Sequence, residues 1–194
     1  LTALFGVSRS PVRDALNALK FAGLVEIVPK RGSFVFLPDD AEVADLCDFR
    51  LMMEREAATL AMAAAPDALL ARLRAICTDM QRAEDAGDHA GYAHADTAYH
   101  AAFFEFCGNR LVRDAYALAD ARIATLRTAL TAPSDARRDA SFREHLDMLA
   151  QLERRDMAAF RATLTEHIAR TRRVATQELH QFKRKPDDPA AQTA

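Results

Sequence analysis

Apolar residues recur along most of this chain at helical spacing. Val12, Ala15, Leu16 and Leu19 fall at i, i+3, i+4 and i+7 and predict a buried helical stripe, with Arg13, Asn17 and Lys20 on another face. A start at Ser10-Pro11 suits this helix, because a serine oxygen caps free amides and proline surrenders a donor that has no partner in a first turn. Gly23 ends it, which gives a helix over residues 11–22. Residues 1–5, stopped by Gly6, read as the end of an earlier helix, so the sequence is expected to begin inside a domain, with part of its amino-terminal machinery before Leu1. Two β-rich runs, 24–28 and 33–36, are joined by Pro29-Lys30-Arg31-Gly32 and predict a hairpin with a cationic tip.

From Asp39 onward the periodicity is helical throughout, broken by Pro66, Gly87, Gly108 and Pro133. Helices are expected at about 40–64, 67–86, 89–107, 109–131, 135–154 and 156–181, with short loops that make successive helices antiparallel neighbours. Residues 183–194, charged and rich in proline and small side chains, read as a disordered tail. The expected fold is therefore mostly α. A winged helix-turn-helix over residues 1–38, truncated at its start and carrying a two-stranded wing, precedes an all-α antiparallel bundle of about six helices over 39–182.

Charge sharpens this division. The formal net charge is only -2, but residues 1–38 hold five basic and two acidic residues, so a basic head sits on an acidic body and a polyanion is expected to meet the head only. The chain is 50% hydrophobic, ample for a buried core. Cys47, Cys77 and Cys107 are odd in number and without paired spacing, as expected of buried thiols in a reducing cytosol. No apolar run approaches the roughly 20 residues a membrane helix needs, and no signal peptide is visible, so a soluble cytoplasmic protein without a membrane partner is expected.

Ser8, Arg9, Ser10 and Arg13 cluster at the amino end of the second helix, where such helices meet bases and phosphates in the major groove. Arginine donates two parallel hydrogen bonds to guanine, and hydroxyls and free helix amides suit phosphate. By composition alone a solvated basic face accounts for the same residues. The run Gly6-Val7-Ser8-Arg9-Ser10-Pro11-Val12-Arg13-Asp14-Ala15-Leu16, followed by Gly23-Leu24-Val25 and Arg31-Gly32-Ser33-Phe34-Val35, closely resembles the DNA-binding domain of the GntR family of bacterial regulators. Ser10 stands where many members have threonine, which keeps the hydroxyl. The resemblance implies that Arg9 and Arg13 contact operator DNA and that Gly32, beside Arg31 at the wing tip, lets the wing approach the minor groove. It also implies a first helix before Leu1.

In the body, Tyr92, Asp96, Tyr99, His100 and Phe103 recur at helical spacing, and a carboxylate and an imidazole at i and i+4 can reach one metal ion. His145 lies in the stripe Phe142, His145, Leu146, Leu149 and Leu152, and His167 in the stripe Met157, Phe160, Leu164, His167 and Ile168. One inward histidine is usually a hydrogen-bonded core residue; three with an aspartate would each need a separate partner. His89, His94 and His180 lack the pattern and are expected at the surface.

Asp96-x-x-x-His100, Gly108-Asn109, Glu144-His145 and His167 resemble the motifs of the FCD domain, the ligand-binding domain of one large GntR subfamily, over about residues 40–175. Tyr99 replaces a common phenylalanine. The resemblance implies that Asp96, His100, His145 and His167 bind a divalent metal (Zn, Ni, Mn or Fe) and leave positions open to a small carboxylate effector. Arg50-Leu51-Met52-Met53-Glu54 resembles the Arg-x-x-x-Glu segment of the subfamily. Arg50 either clamps an effector carboxylate or forms an exposed i, i+4 pair with Glu54 worth about 0.3–0.5 kcal/mol. Two reading heads on a DNA site require a homodimer. A metalloenzyme activating water is the rival from another class, disfavoured because no additional candidate general base is seen near the four ligands and a DNA-reading head has no use in a hydrolase. A purely structural metal is a third reading.

Overall fold

The computed structural model describes residues 1–127 and 135–184. Along them run α1 (Thr2–Phe5), α2 (Arg9–Phe21), β1 (Val25–Val28), β2 (Gly32–Val35), α3 (Asp40–Ala64), α4 (Pro66–Asp85), α5 (His89–Phe106), α6 (Arg110–Thr125), α7 (Asp135–Glu153) and α8 (Met157–Arg184). The mostly helical fold with a small two-stranded wing is the one expected.

The second helix starts two residues earlier than its serine and proline suggested, at Arg9 after an extended Ser8. Pro11 is tolerated in the first turn because the first four amides of a helix have no internal acceptor. At the other end Gly23 takes φ 71°, its N–H donates to the Lys20 carbonyl (3.0 Å) and the Leu24 N–H donates to that of Leu19 (2.9 Å), so two orphan carbonyls are satisfied. The apolar stripe is present but not buried. Val12 and Leu16 are half-buried, Ala15 and Leu19 are exposed, and all four line an open apolar groove with Phe5. A four-residue α1 is too short to cover a stripe of two turns.

The wing is antiparallel, with Val25 opposite Val35 and Val28 opposite Gly32. Its turn places Lys30 at φ 63° and closes with the Arg31 N–H donating to the Val28 carbonyl (3.1 Å). The left-handed position that favours glycine in such a turn thus falls on a lysine.

Asp39 caps α3 reciprocally: its carboxylate accepts from the Glu42 N–H (2.8 Å) and its own N–H donates to the Glu42 carboxylate (2.9 Å). Bundle boundaries fall within a few residues of expectation. The far end of the helix expected at 109–131 lies partly outside the described residues. Lys183 and Arg184, expected in the tail, belong to α8, and residues 185–194 lie outside the described set.

Sequence neighbours pack strongly at α4–α5 and α7–α8, whereas α3 packs chiefly on α8, α5 and α6 and little on α4. Short loops therefore did not fix the neighbours of α3. Its buried Ala57, Ala58 and Ala61 allow close approach on more than one side. Leu69, Leu73, Phe103, Leu152 and Phe160 are fully enclosed between the helices; burying each contributes roughly 1.5–3 kcal/mol. In α7 the stripe differs from expectation at one place: Leu146 is exposed and Met148 buried.

Candidate functional site

The head presents its polar residues to solvent. Ser8, Arg9, Ser10 and Arg13 are exposed around the first turns of α2, and Arg31 and Gly32 are exposed at the wing. A side chain at Gly32 would meet nothing within 4 Å, so its φ of 123°, not crowding, favours glycine there. The Arg31 guanidinium lies 5.9 Å from the Phe34 ring centroid.

In the bundle, α5 supplies Asp96 and His100, α7 supplies His145 and α8 supplies His167. The three imidazoles are buried and each offers a nitrogen within 4.8 Å of the other two. Nε2 of His145 lies 3.2 Å from Nε2 of His100. Asp96 stands at the edge of this trio, one oxygen 3.7 Å from His145 Nε2 and the other 3.5 Å from Arg127 Nε. Burial, reinforced by neighbouring cations, holds the His100 and His145 pKa values well below the usual histidine range, and burial lowers that of His167 too. Three neutral imidazoles therefore face one another at neutral pH.

Two carboxylates stand behind them. Glu54 accepts from His100 Nδ1 (2.8 Å), from Arg50 Nε (2.6 Å) and from the Tyr116 hydroxyl (3.2 Å). Glu144 accepts from His167 Nδ1 (2.6 Å) and bidentately from Arg170 (3.0 and 2.6 Å). A carboxylate only accepts, so both rings carry their proton on Nδ1 and direct the Nε2 lone pair elsewhere. Burial raises the Glu144 pKa, but the hydrogen bonds from His167 and Arg170 outweigh it and bring the group down to about 2. Tyr99 donates to the His145 backbone carbonyl (2.9 Å), while His145 Nδ1 is buried without a hydrogen-bond partner.

Arg50 does pair with Glu54, but the pair is buried, not exposed. The guanidinium also reaches His100 Nε2 (2.8 Å), and its Nη1 has no hydrogen-bond partner. Against expectation, further carboxylates do stand beside the ligands. Glu54 and Glu144 are each engaged by an imidazole and an arginine, which leaves neither placed as a general base. Glu54 was in view only as the far end of an i, i+4 pair. Glu144 precedes His145 directly, and nothing in helical periodicity aims it at a residue on α8.

Beside the trio lies a cavity of about 20 Å³, walled by Asp96 and His167 and by Arg127, Arg137, Arg138 and Arg170. Arg50 does not line it. His89 and His94 are exposed, as is His180, which meets Asp40 at 2.8 Å. All three cysteines are free and buried, and burial raises the Cys47 thiol and brings that of Cys77 up to about 11, which disfavours the reactive thiolate at these two positions.

A model of bacterial regulatory proteins of the gntR family matches residues 1–35, and a model of the FCD domain matches residues 45–170. The chain is 30% identical over 128 residues to the HTH-type transcriptional regulator LutR of Bacillus subtilis, covering 58% of each chain. It is 35% identical over 98 residues to an HTH-type transcriptional regulator of Agrobacterium vitis, covering 49% of this chain and 57% of that one. The chain thus spans less than two thirds of these relatives. Its fold is similar to that of Escherichia coli McbR/YncC (TM-score 0.75, 19% identity, 91% of this chain and 84% of that one). It is also similar to a metal-free FCD domain of TM0439 (TM-score 0.66, 19% identity, 75% and 99%).

Proposed function

The chain belongs to the GntR family of bacterial regulatory proteins with an FCD domain, and from that premise we propose that it controls transcription through an effector bound beside a metal in its helical bundle. In this reading Ser8, Arg9, Ser10 and Arg13 on α2 and Arg31 and Gly32 on the wing read operator DNA as a homodimer in the cytoplasm. Among the described residues no helix is long and apolar enough to cross a membrane.

The observation that carries the metal reading is the trio of buried, neutral imidazoles, two of them oriented by carboxylates. Carboxylate–imidazole pairs of this kind fix the tautomer of a metal ligand and raise its basicity. The buried, unpartnered nitrogen on His145 adds to the fit, since without a ligand the cluster leaves polar atoms poorly satisfied. His100, His145, His167 and Asp96 would hold the ion. Three imidazoles and a carboxylate accept Zn, Ni, Mn or Fe, and the ion would supply an electrophilic anchor for an effector carboxylate. Effector binding then alters operator affinity only so far as it favours one arrangement of the heads over another.

Metal analysis after gentle purification tests the site. Wild-type protein is expected to carry close to one divalent ion per chain and His145→Ala far less, both remaining folded by circular dichroism. Equal metal content in the two proteins would sink the assignment. The metalloenzyme reading finds no support in the geometry, because both carboxylates nearest the imidazoles are already committed.

A further inference from the structure

Among the described residues, two other than glycine take a positive φ: Lys30 at 63° and Arg155 at 57°. Lys30 stands in the turn of the wing. Pro29 precedes it, and the Arg31 N–H closes the turn on the Val28 carbonyl (3.1 Å). Lys30 thus holds the second inner position, where a positive φ is ordinarily supplied by glycine or asparagine. In that conformation a Cβ crowds the following carbonyl oxygen, a strain that glycine does not feel.

Packing and pairing within the chain do not offset this strain. The Lys30 side chain is exposed, and among the described residues its ammonium has neither an ion pair nor a hydrogen bond. What remains is its charge and its place. It adjoins Arg31 at the tip of a head that carries five basic residues against two acids. A strained position with no compensating contact inside the molecule points to a side chain that acts outward. Lysine is a compact charge on a long flexible stem, which suits a phosphate better than the edge of a base.

We propose that Lys30 is a further DNA contact of the wing, in which the ammonium binds a backbone phosphate and the turn accepts strain to place that charge. This rests on the DNA-reading head proposed above and adds to it a contact independent of sequence. Phosphates are alike at every base pair, so Lys30 sets the strength of binding and not the choice of operator. Arg155 provides an internal control. It too is an exposed cation in a left-handed conformation, but it lies in the turn between α7 and α8. That turn is at the opposite end of α8 from His180, which meets Asp40 just after the head.

Anisotropy titrations of the full chain over a range of salt, with one AT-rich and one GC-rich short duplex, test this without an operator. Lys30→Gly is expected to melt no lower than wild type, since glycine relieves the strain. It should nevertheless bind both duplexes about ten-fold more weakly at roughly 0.1 M salt, with the slope of log K against log salt reduced by about one. Arg155→Gly, which loses the same charge, should keep both affinity and slope. Wild-type binding by Lys30→Gly, or an equal loss in Arg155→Gly, overturns the inference while the DNA-reading head stands. A loss confined to one duplex makes Lys30 a groove reader and overturns the phosphate assignment. A lower melting temperature for Lys30→Gly removes the strain and overturns the inference as well. Wild-type protein that binds neither duplex overturns both the inference and the reading of the head.

Discussion

Arg13 is exposed on the second turn of α2, on the side of the helix opened by Ser8 and Arg9. Replacing it with alanine removes no buried contact, so the fold should persist while operator binding weakens by about 1–3 kcal/mol, the value of a base contact. A gel-shift titration with unchanged affinity would count against the assignment. The histidines make a different prediction, about stability. In the folded protein His100 and His145 titrate well below 6.5 because burial penalises the charged ring. The unfolded chain therefore binds more protons once the pH drops below about 6.5, and the stability from keeping the rings neutral is complete above that pH and lost below it. The melting temperature of metal-free protein should fall steadily from about pH 7 to about pH 5. Glu144 adds a lower step: its pKa is depressed from 4.5 to about 2, so its contribution is present above 4.5 and lost towards 2. A flat profile between pH 7 and 5 would contradict the burial of neutral imidazoles.

The junction after α2 depends on Gly23, which combines a left-handed φ of 71° with close packing: an added Cβ would lie 2.9 Å from Cδ of Arg122 on α6. Gly23→Ala is expected to cost about 1–2 kcal/mol from backbone strain, with a further part from the contact. Pairing it with Arg122→Ala should restore only the contact part. Complete rescue in denaturant melts would mean that φ is not the constraint. At the start of α3, Asp39→Ala removes half of a reciprocal cap and should cost about 0.5–2 kcal/mol; an unchanged melting temperature would show that the cap adds nothing to the assembled bundle.

The molecule as a whole joins the two sites through α6. Tyr116 on this helix donates to Glu54 behind His100, Arg122 packs on the Gly23 turn of the head, and just past its end Arg127 lies 3.5 Å from Asp96. One helix thus lies against both the surroundings of the histidine cluster and the head. With the function proposed above, Arg122→Ala is expected to leave metal content and effector-free operator affinity near wild type. It should shrink the effector-induced change in affinity, which for coupled sites is typically about 5- to 150-fold. Operator titrations with and without a bound acid measure this directly; full coupling in the variant would exclude Arg122 as the link.

The sequence by itself determined the helices, the wing and the inward direction of four side chains. Those features are local: apolar residues repeating every three or four positions, glycine at Gly23 and Gly108, and an acid-led cap at Asp39 follow from backbone geometry within a few residues. Asp96 and His100 share a stripe for that reason alone, and the head could be recognised from a contiguous run of residues. Tertiary structure decided everything that depends on which helices meet. Glu144 reaches His167 and Arg170 only because α7 packs on α8, and Glu54 reaches His100 only because α3 packs on α5. It also converted the Arg50–Glu54 pair from a surface contact into a buried one and gathered arginines from α7, α8 and the end of α6 around one cavity. Helical periodicity says which face turns inward; it does not say which partner waits there, because that is fixed by packing between helices far apart in the chain.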